Sequence, residues 1–326
     1  MPQKRFIHAL REGLIEEMRR DPTVFVMGED VQIGVFGVSR GLVAEFGEER
    51  VRNTPIAEQV IVGAALGAAA SGMRPVADLM MANFSYLAME PFANQAAKLH
   101  YMTGGQITMP SVFLAALGAP GGNAAQHSDA PYPMFMNLGG VKVVLPTTPY
   151  DAKGLIKSAI RDNNPVIFFF HGALAGSRGE VPDEEYTVPI GVADVKRAGS
   201  DVTLVAIGWM VKHALEAAAK LEKEEGISVE VIDPRSLVPL DTATILRSVE
   251  KTGRLVVADE ARELCSAASE ISASVAQHGF ASLKAPILRV TTPNVPIPFS
   301  PPMEKAIVPG VQQIVNAVCA AAQYRR

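Results

Sequence analysis

Cysteine is almost absent. Cys265 and Cys319 are the only two in 326 residues, far apart and in no CxxC pair. That excludes a disulfide framework or a thiolate metal site as the organising device, and it suits a reducing, cytoplasmic setting. Histidine is scarce and dispersed, with no two residues at metal-ligand spacing. Positive charge is not in excess: 30 Lys and Arg stand against 34 Asp and Glu, a formal charge of -4. No basic stripe for nucleic acid results. Long apolar runs are missing too. The most membrane-like stretch, residues 60–73, falls short of the roughly 20 residues that a span needs, and it reads as a buried helix. The first residues carry scattered charges and no apolar core of a secretory signal. No GxGxxG opens a helix after a strand, and Walker and HExxH patterns are absent.

What is present is ample material for burial, with 48% hydrophobic and 20% charged residues. A chain this long exceeds one ordinary core, so two domains are expected. Ile7, Leu10, Leu14 and Met18 share a helical face. Apolar strands are predicted over 24–27, 75–80, 112–117, 141–145 and 166–170. Helices are predicted over 57–72 and 86–100, and another begins at Pro149 with Thr148 as N-cap and Asp151 in the first turn. The polar, proline-marked stretch 176–189 reads as a linker. Beyond it the pattern restarts, with strands over 202–207, 228–232 and 254–259. Helices follow over 211–225, stopped by Gly226, and over 264–278, with a last one from Val311. Continuous apolar strands alternating with helices predict an α/β protein built on two parallel sheets. The expected division is a first domain over 1–180, a linker over 181–200 and a second domain over 201–326.

Two side chains stand out. Glu58 ends Thr54-Pro55-Ile56-Ala57-Glu58 and opens a helix whose body is almost wholly Val, Ile, Ala and Gly. The plain reading is a first-turn carboxylate favouring the helix dipole, worth about 0.3–1 kcal/mol. The alternative starts from the apolar helix, which predicts a buried start and so a carboxylate in need of a partner. His127 follows a glycine loop after a strand, where ligands gather in parallel sheets; a surface loop histidine is the plain reading. The glycine clusters 104–105 and 118–122 read as turns before they read as phosphate cradles.

Several stretches resemble the β subunits of the E1 component of 2-oxo-acid dehydrogenase complexes, within the transketolase-like family, with acetoin dehydrogenase β subunits the most alike. They include Met27-Gly28-Glu29-Asp30, Asn53-Thr54-Pro55-Ile56-Ala57-Glu58, Tyr101-Met102-Thr103-Gly104-Gly105 and Ala124-Ala125-Gln126-His127-Ser128. Asp151-Ala152-Lys153-Gly154-Leu155, Arg161-Asp162-Asn163-Asn164-Pro165 and Lys251-Thr252-Gly253-Arg254-Leu255 continue the match in order along nearly the whole chain.

The resemblance implies a pyrimidine-type thiamine-diphosphate domain followed by a transketolase C-terminal-type domain. It implies that Glu58 hydrogen-bonds N1′ of the aminopyrimidine, that Ile56, Met80 and Phe84 line that ring, and that His127 stands at the substrate and lipoyl end of the pocket. An acyl unit would then pass from a ketone or 2-oxo acid to a lipoyl-bearing E2. The Gly-Asp-Gly by which such enzymes hold Mg²⁺ and diphosphate occurs nowhere here. The resemblance therefore assigns both to an α subunit, in an α₂β₂ assembly. It further suggests a structural potassium ion held by carbonyls near Ser111, Ala159, Ile160, Asp162 and Asn164. Asp129 stands where relatives commonly carry Gln. An extra carboxylate at the pocket mouth would disfavour anionic 2-oxo acids and favour a neutral, acetoin-like ketone. A split transketolase-like transferase and a non-catalytic scaffold subunit are the alternatives; retention of both Glu58 and His127 speaks against the scaffold.

Overall fold

The apolar runs at Val24–Gly28, Val112–Leu117 and Val166–His171 are strands buried along their whole length, as a parallel sheet covered on both faces requires. The computed structural model describes residues 1–119 and 121–324. Pro120, inside the predicted glycine loop, lies outside the described residues. The chain forms two units, Met1–Leu117 with Met134–Ile190 and Gly118–Pro133 with Gly191–Arg326.

In the first unit the strands run side by side in the order Lys142–Val144, Val166–His171, Val112–Leu117, Arg74–Met81, Val24–Gly28 and Val51–Asn53. All of these neighbours are parallel. The helix Phe6–Arg20 buries Leu10, Leu14 and Met18 completely, as its spacing predicts, and packs on the helix Pro149–Arg161. That second helix starts as its sequence dictates. Pro149 opens it, and the Asp151 amide donates to Thr148 Oγ1 at 3.1 Å.

One expectation needs correcting. The predicted helix over 86–100 is three short pieces: a 3₁₀ turn Ala82–Ala88, a π turn Pro91–Ala96 and an α turn Leu99–Met102. Pro91 has no N–H to donate, so one regular ladder cannot run through it. The polar stretch 176–189 is tied to the first unit. Its Arg178–Glu180 segment pairs antiparallel with Gln3–Arg5, Val181 and Val188 are buried, and Ser158 Oγ donates to the Val188 carbonyl at 2.6 Å. Three residues, Arg178-Gly179-Glu180, are too few to carry a period that announces a strand.

In the second unit the strand order is Leu288–Thr292, Leu255–Arg262, Val202–Ala206, Val229–Asp233 and Asp194–Arg197, with only the last antiparallel to its neighbour. The helix Met210–Glu225 ends on Gly226 at φ 67°, a left-handed cap that glycine adopts without cost. The helix Thr242–Thr252 was not read from the sequence; Asp241 caps it, accepting from the Thr244 amide at 3.0 Å. Val202, Leu204, Val231, Val256, Ile314 and Val318 fill the core. Gly118–Pro133 folds with this unit although it follows a strand of the other. Among the described residues no helix is long and apolar enough to cross a membrane.

Candidate active site

The helix Glu58–Ala70 follows the strand Val51–Asn53 after the turn at residues 54–57. It packs on the strand Arg74–Met81 and on the turn Ala82–Ala88, burying Ile61, Val62, Ala65, Leu66 and Ala69. That packing draws the helix start inward, and Glu58 is left 7% exposed. Its carboxylate has no hydrogen bond or ion pair among the described residues. A helix dipole returns only about 0.3–1 kcal/mol to such a charge. Thr54, four residues earlier, is a second orphan: its Oγ1 is buried without a hydrogen-bond partner. Two polar groups without a protein partner among the described residues thus stand at one helix start, open to a ligand or to water.

The neighbouring strand supplies Met80. Its amide donates to Asp78 Oδ1 at 2.9 Å, its φ is 59°, and the strand register shifts between Asp78 and Met81. A bulge of this kind re-aims a side chain at the end of a strand. Burial pushes the Asp78 carboxyl up to about 6, against the pull of the Met80 hydrogen bond. Met80 and Phe84 are half-buried, on the strand and turn that pack against the Glu58 helix. Ile56 is 73% exposed, so nothing in its own unit covers it.

His127 belongs to the second unit. It is half-buried, in a turn where its amide donates to the Ala124 carbonyl at 3.3 Å and Ala124 takes φ 61°. Ser128 beside it is 2% exposed, and its Oγ has no hydrogen-bond partner. The expectation for Asp129 fails. Arg262 Nη2 donates to its carboxylate at 2.7 Å, so the charge is met by a guanidinium and no longer argues for repulsion of an anionic substrate.

The five residues read as a potassium seat do gather, at the amino ends of the first unit's strands. The Ser111 carbonyl accepts from the Val166 amide at 2.8 Å, and the Ala159 carbonyl from the Asp162 amide at 3.3 Å. Arg74 Nη1 donates to the Ile160 and Asp162 carbonyls at 2.8 and 3.0 Å. The Asp162 side chain bonds Lys142 and Asn164. A guanidinium and an ammonium thus already meet this loop, and the residues fit a further cation poorly. Among the described residues no group of three or more His, Cys, Asp or Glu is arranged to hold a metal.

Thr54, Asp78 and Ser128 carried no reading of their own from sequence. Asp78 had a visible signal, a lone carboxylate inside an apolar strand; a hydroxyl that folding strands without a partner leaves none.

Residues 3–176 match the pyrimidine binding domain of transketolase and residues 191–314 its C-terminal domain. The chain is 49% identical over 321 residues to the β subunit of acetoin:2,6-dichlorophenolindophenol oxidoreductase from Cupriavidus necator, covering 95% of this chain and 94% of that one. It is 47% identical to the protein of the same description from Bacillus subtilis, covering 94% of each. To the 2-oxoisovalerate dehydrogenase β subunit of Bacillus subtilis it is 42% identical, covering 98% of each. A solved split-gene transketolase, described as an inactive β4 tetramer, superposes with a TM-score of 0.80 at 26% identity, covering 98% of both chains. By domain order and by identity along nearly its full length, the chain belongs to the transketolase-like family of dehydrogenase E1 β subunits.

Proposed function

We propose that this chain supplies the aminopyrimidine half of a thiamine-diphosphate site shared with an α subunit, in an E1 that cleaves an acetoin-like ketone and passes the acyl unit to a lipoyl-bearing E2. The observation that carries the reading is Glu58, 7% exposed and unmet by any group of the described residues. Bound thiamine diphosphate supplies a nucleophilic carbon that adds to a carbonyl and accepts the electrons of the broken C–C bond. Glu58 holds a proton at N1′ of the pyrimidine, which fixes the tautomer able to act as base. Thr54 offers a second polar group at the same helix start. Met80 and Phe84 give that ring an apolar wall, with Met80 aimed by the Asp78 bulge. His127 serves the substrate end, where its imidazole exchanges a proton with the reacting oxygen. Mg²⁺ and diphosphate fall to the α subunit because no Gly-Asp-Gly occurs here. Potassium has no part in this reading, since Arg74 and Lys142 meet the loop that would seat it.

Acetoin is favoured over 2-oxo acids by the two relatives at 49% and 47% identity, both described by acetoin. Asp129 no longer contributes to that choice. The test is reconstitution with the α partner, thiamine diphosphate and Mg²⁺, following reduction of 2,6-dichlorophenolindophenol with acetoin, pyruvate or a branched 2-oxo acid. The complex is expected to turn over acetoin, and the chain alone to be inactive and to bind the cofactor weakly. Submicromolar, Mg²⁺-dependent binding by the isolated chain would sink the shared site. Pyruvate used hundreds of times more efficiently than acetoin would sink the substrate.

A further inference from the structure

The loop that carries His127 is fastened to the second unit at both ends, mostly through buried carboxylates. At its start, the Ala119 amide donates to Glu260 Oε1 at 2.6 Å. The amides of Gly121 and Gly122 converge on the carboxylate of Glu304, at 3.2 to 3.4 Å from its two oxygens. Glu304 lies in the short helix Pro301–Ile307 and is 2% exposed. The side chains of Ala119, Ile297 and Val308 form a small apolar cluster at the same place. At the loop's far end Arg262 bonds Asp129, and the Tyr132 hydroxyl donates to the buried Asp259. The Gly118 amide closes the loop onto the Asp129 carbonyl at 3.2 Å. Between the two fastenings lies the turn at 123–128 with His127 at its end.

Asp259, Glu260 and Arg262 sit on one strand, Leu255–Arg262, and hold both ends of the loop. Glu304 is different in kind, because it reaches the loop from a separate helix and takes its backbone amides directly. Two successive backbone N–H groups aimed at one oxygen pair form an anion-binding concavity, and hydrogen bonds to an ionised acceptor are about twice as strong as neutral ones. We infer that Glu304 is a positioning residue for the reaction: by gripping the Gly121 and Gly122 amides it fixes where the turn presents His127. The inference rests on the role proposed for His127.

The test is steady-state kinetics of the reconstituted α–β complex in variants that assemble and melt near the parent temperature. Glu304→Ala is expected to lower kcat by about 10–100-fold, the scale of a roughly 1 Å misplacement of a catalytic group. The KM for thiamine diphosphate should stay within about 2-fold, because the ring and diphosphate contacts are elsewhere. Glu304→Gln keeps one acceptor oxygen and should recover most of the loss, to within about 5-fold of the parent. In a His127→Ala background, Glu304→Ala should cost nothing further, since the two act as one unit. A folded Glu304→Ala complex with normal kcat, beside an impaired His127→Ala, overturns the inference alone. Losses that multiply in the double variant overturn it as well. Full activity in His127→Ala by itself removes the role of His127, a failure visible before Glu304 is touched, and the inference falls with it. Should Glu304→Ala fail to fold, Gly122→Ala disturbs the same loop from the other side. Its φ of 63° is strained for alanine, though the added Cβ meets nothing closer than the Phe299 carbonyl at 3.7 Å. The same kinetic pattern is expected there, and parent-like kinetics would count equally against the inference.

Discussion

Two helices of the first unit treat buried charge in opposite ways. Pro149–Arg161 buries Lys153 and Lys157 almost completely, yet every one of these charges is met. Lys153 Nζ reaches Glu12 and Glu16 at 2.7 and 2.8 Å, Lys157 Nζ reaches Glu16 at 2.6 Å, and Arg161 reaches the fully buried Glu17 at 2.6 Å. Glu58–Ala70 carries one buried charge, at Glu58, and nothing among the described residues meets it. Its outer face, at Gln59, Val60, Gly63, Ala64 and Gly67, is exposed. The first helix has its buried charges met from within the chain, and the second leaves its one buried carboxylate without a partner among the described residues. A buried charge tells little about function until its partners have been looked for.

The comparison breaks first at Glu58. Glu58→Gln nearly preserves size, so the melting temperature should move by no more than about 1 kcal/mol of stability allows. C2–H exchange of thiamine diphosphate bound to the α–β complex should fall by about two to four orders of magnitude. Normal exchange in a slightly destabilised complex would leave Glu58 as a helix-start charge.

Arg161→Met should show the reverse pattern. It leaves the buried Glu17 with Arg20 alone, which should cost about 1–3 kcal/mol by denaturant unfolding, while kcat of the complex holds. A fall in kcat without a loss of stability would erase the contrast between the helices. Acid should act on the same network. Burial alone would raise the Glu12 carboxyl, but hydrogen bonds from Lys153 and Lys4 outweigh it and hold it below its ordinary 4.5. Its contribution is therefore present above that value and lost as pH falls below it.

Asp78 is the intermediate case, buried but satisfied by one backbone N–H. Its carboxyl is raised from 3.8 to about 6, so the folded state keeps a proton that the unfolded chain has lost, and stability declines as pH rises across that window. Asp78→Asn removes the penalty and still offers an oxygen to Met80. It should stabilise the chain by about 1–3 kcal/mol at pH 7 and by little at pH 4, read from melting curves across pH. A gain independent of pH would show that the charge was not the cause.

The smallest effect belongs to the exposed face. A Cβ added at Gly63 meets nothing within 4 Å, so Gly63→Ala should leave the isolated chain intact or about 0.5–1 kcal/mol more stable through helix propensity. Light scattering should nonetheless show weaker self-association, if that face is where copies or subunits meet. Unchanged association would place the interface elsewhere.

Strands and long helices were legible because burial on both faces demands unbroken apolar runs, and caps such as Thr148 and Gly226 announce themselves by residue type. The interrupted region at 82–102 was less so, although Pro91 was in view, because mixed 3₁₀, π and α turns share no single period. Motif resemblance pointed to Glu58 and His127. By itself the sequence determined the alternating α/β pattern, the family and the missing diphosphate motif, since each is written in contiguous residues. The fold alone decided which charges find partners: Lys153 with Glu12, Asp129 with Arg262, and Glu58 with none among the described residues. Those pairs are separated by more than a hundred residues in the chain, and no local pattern encodes a meeting that only packing brings about.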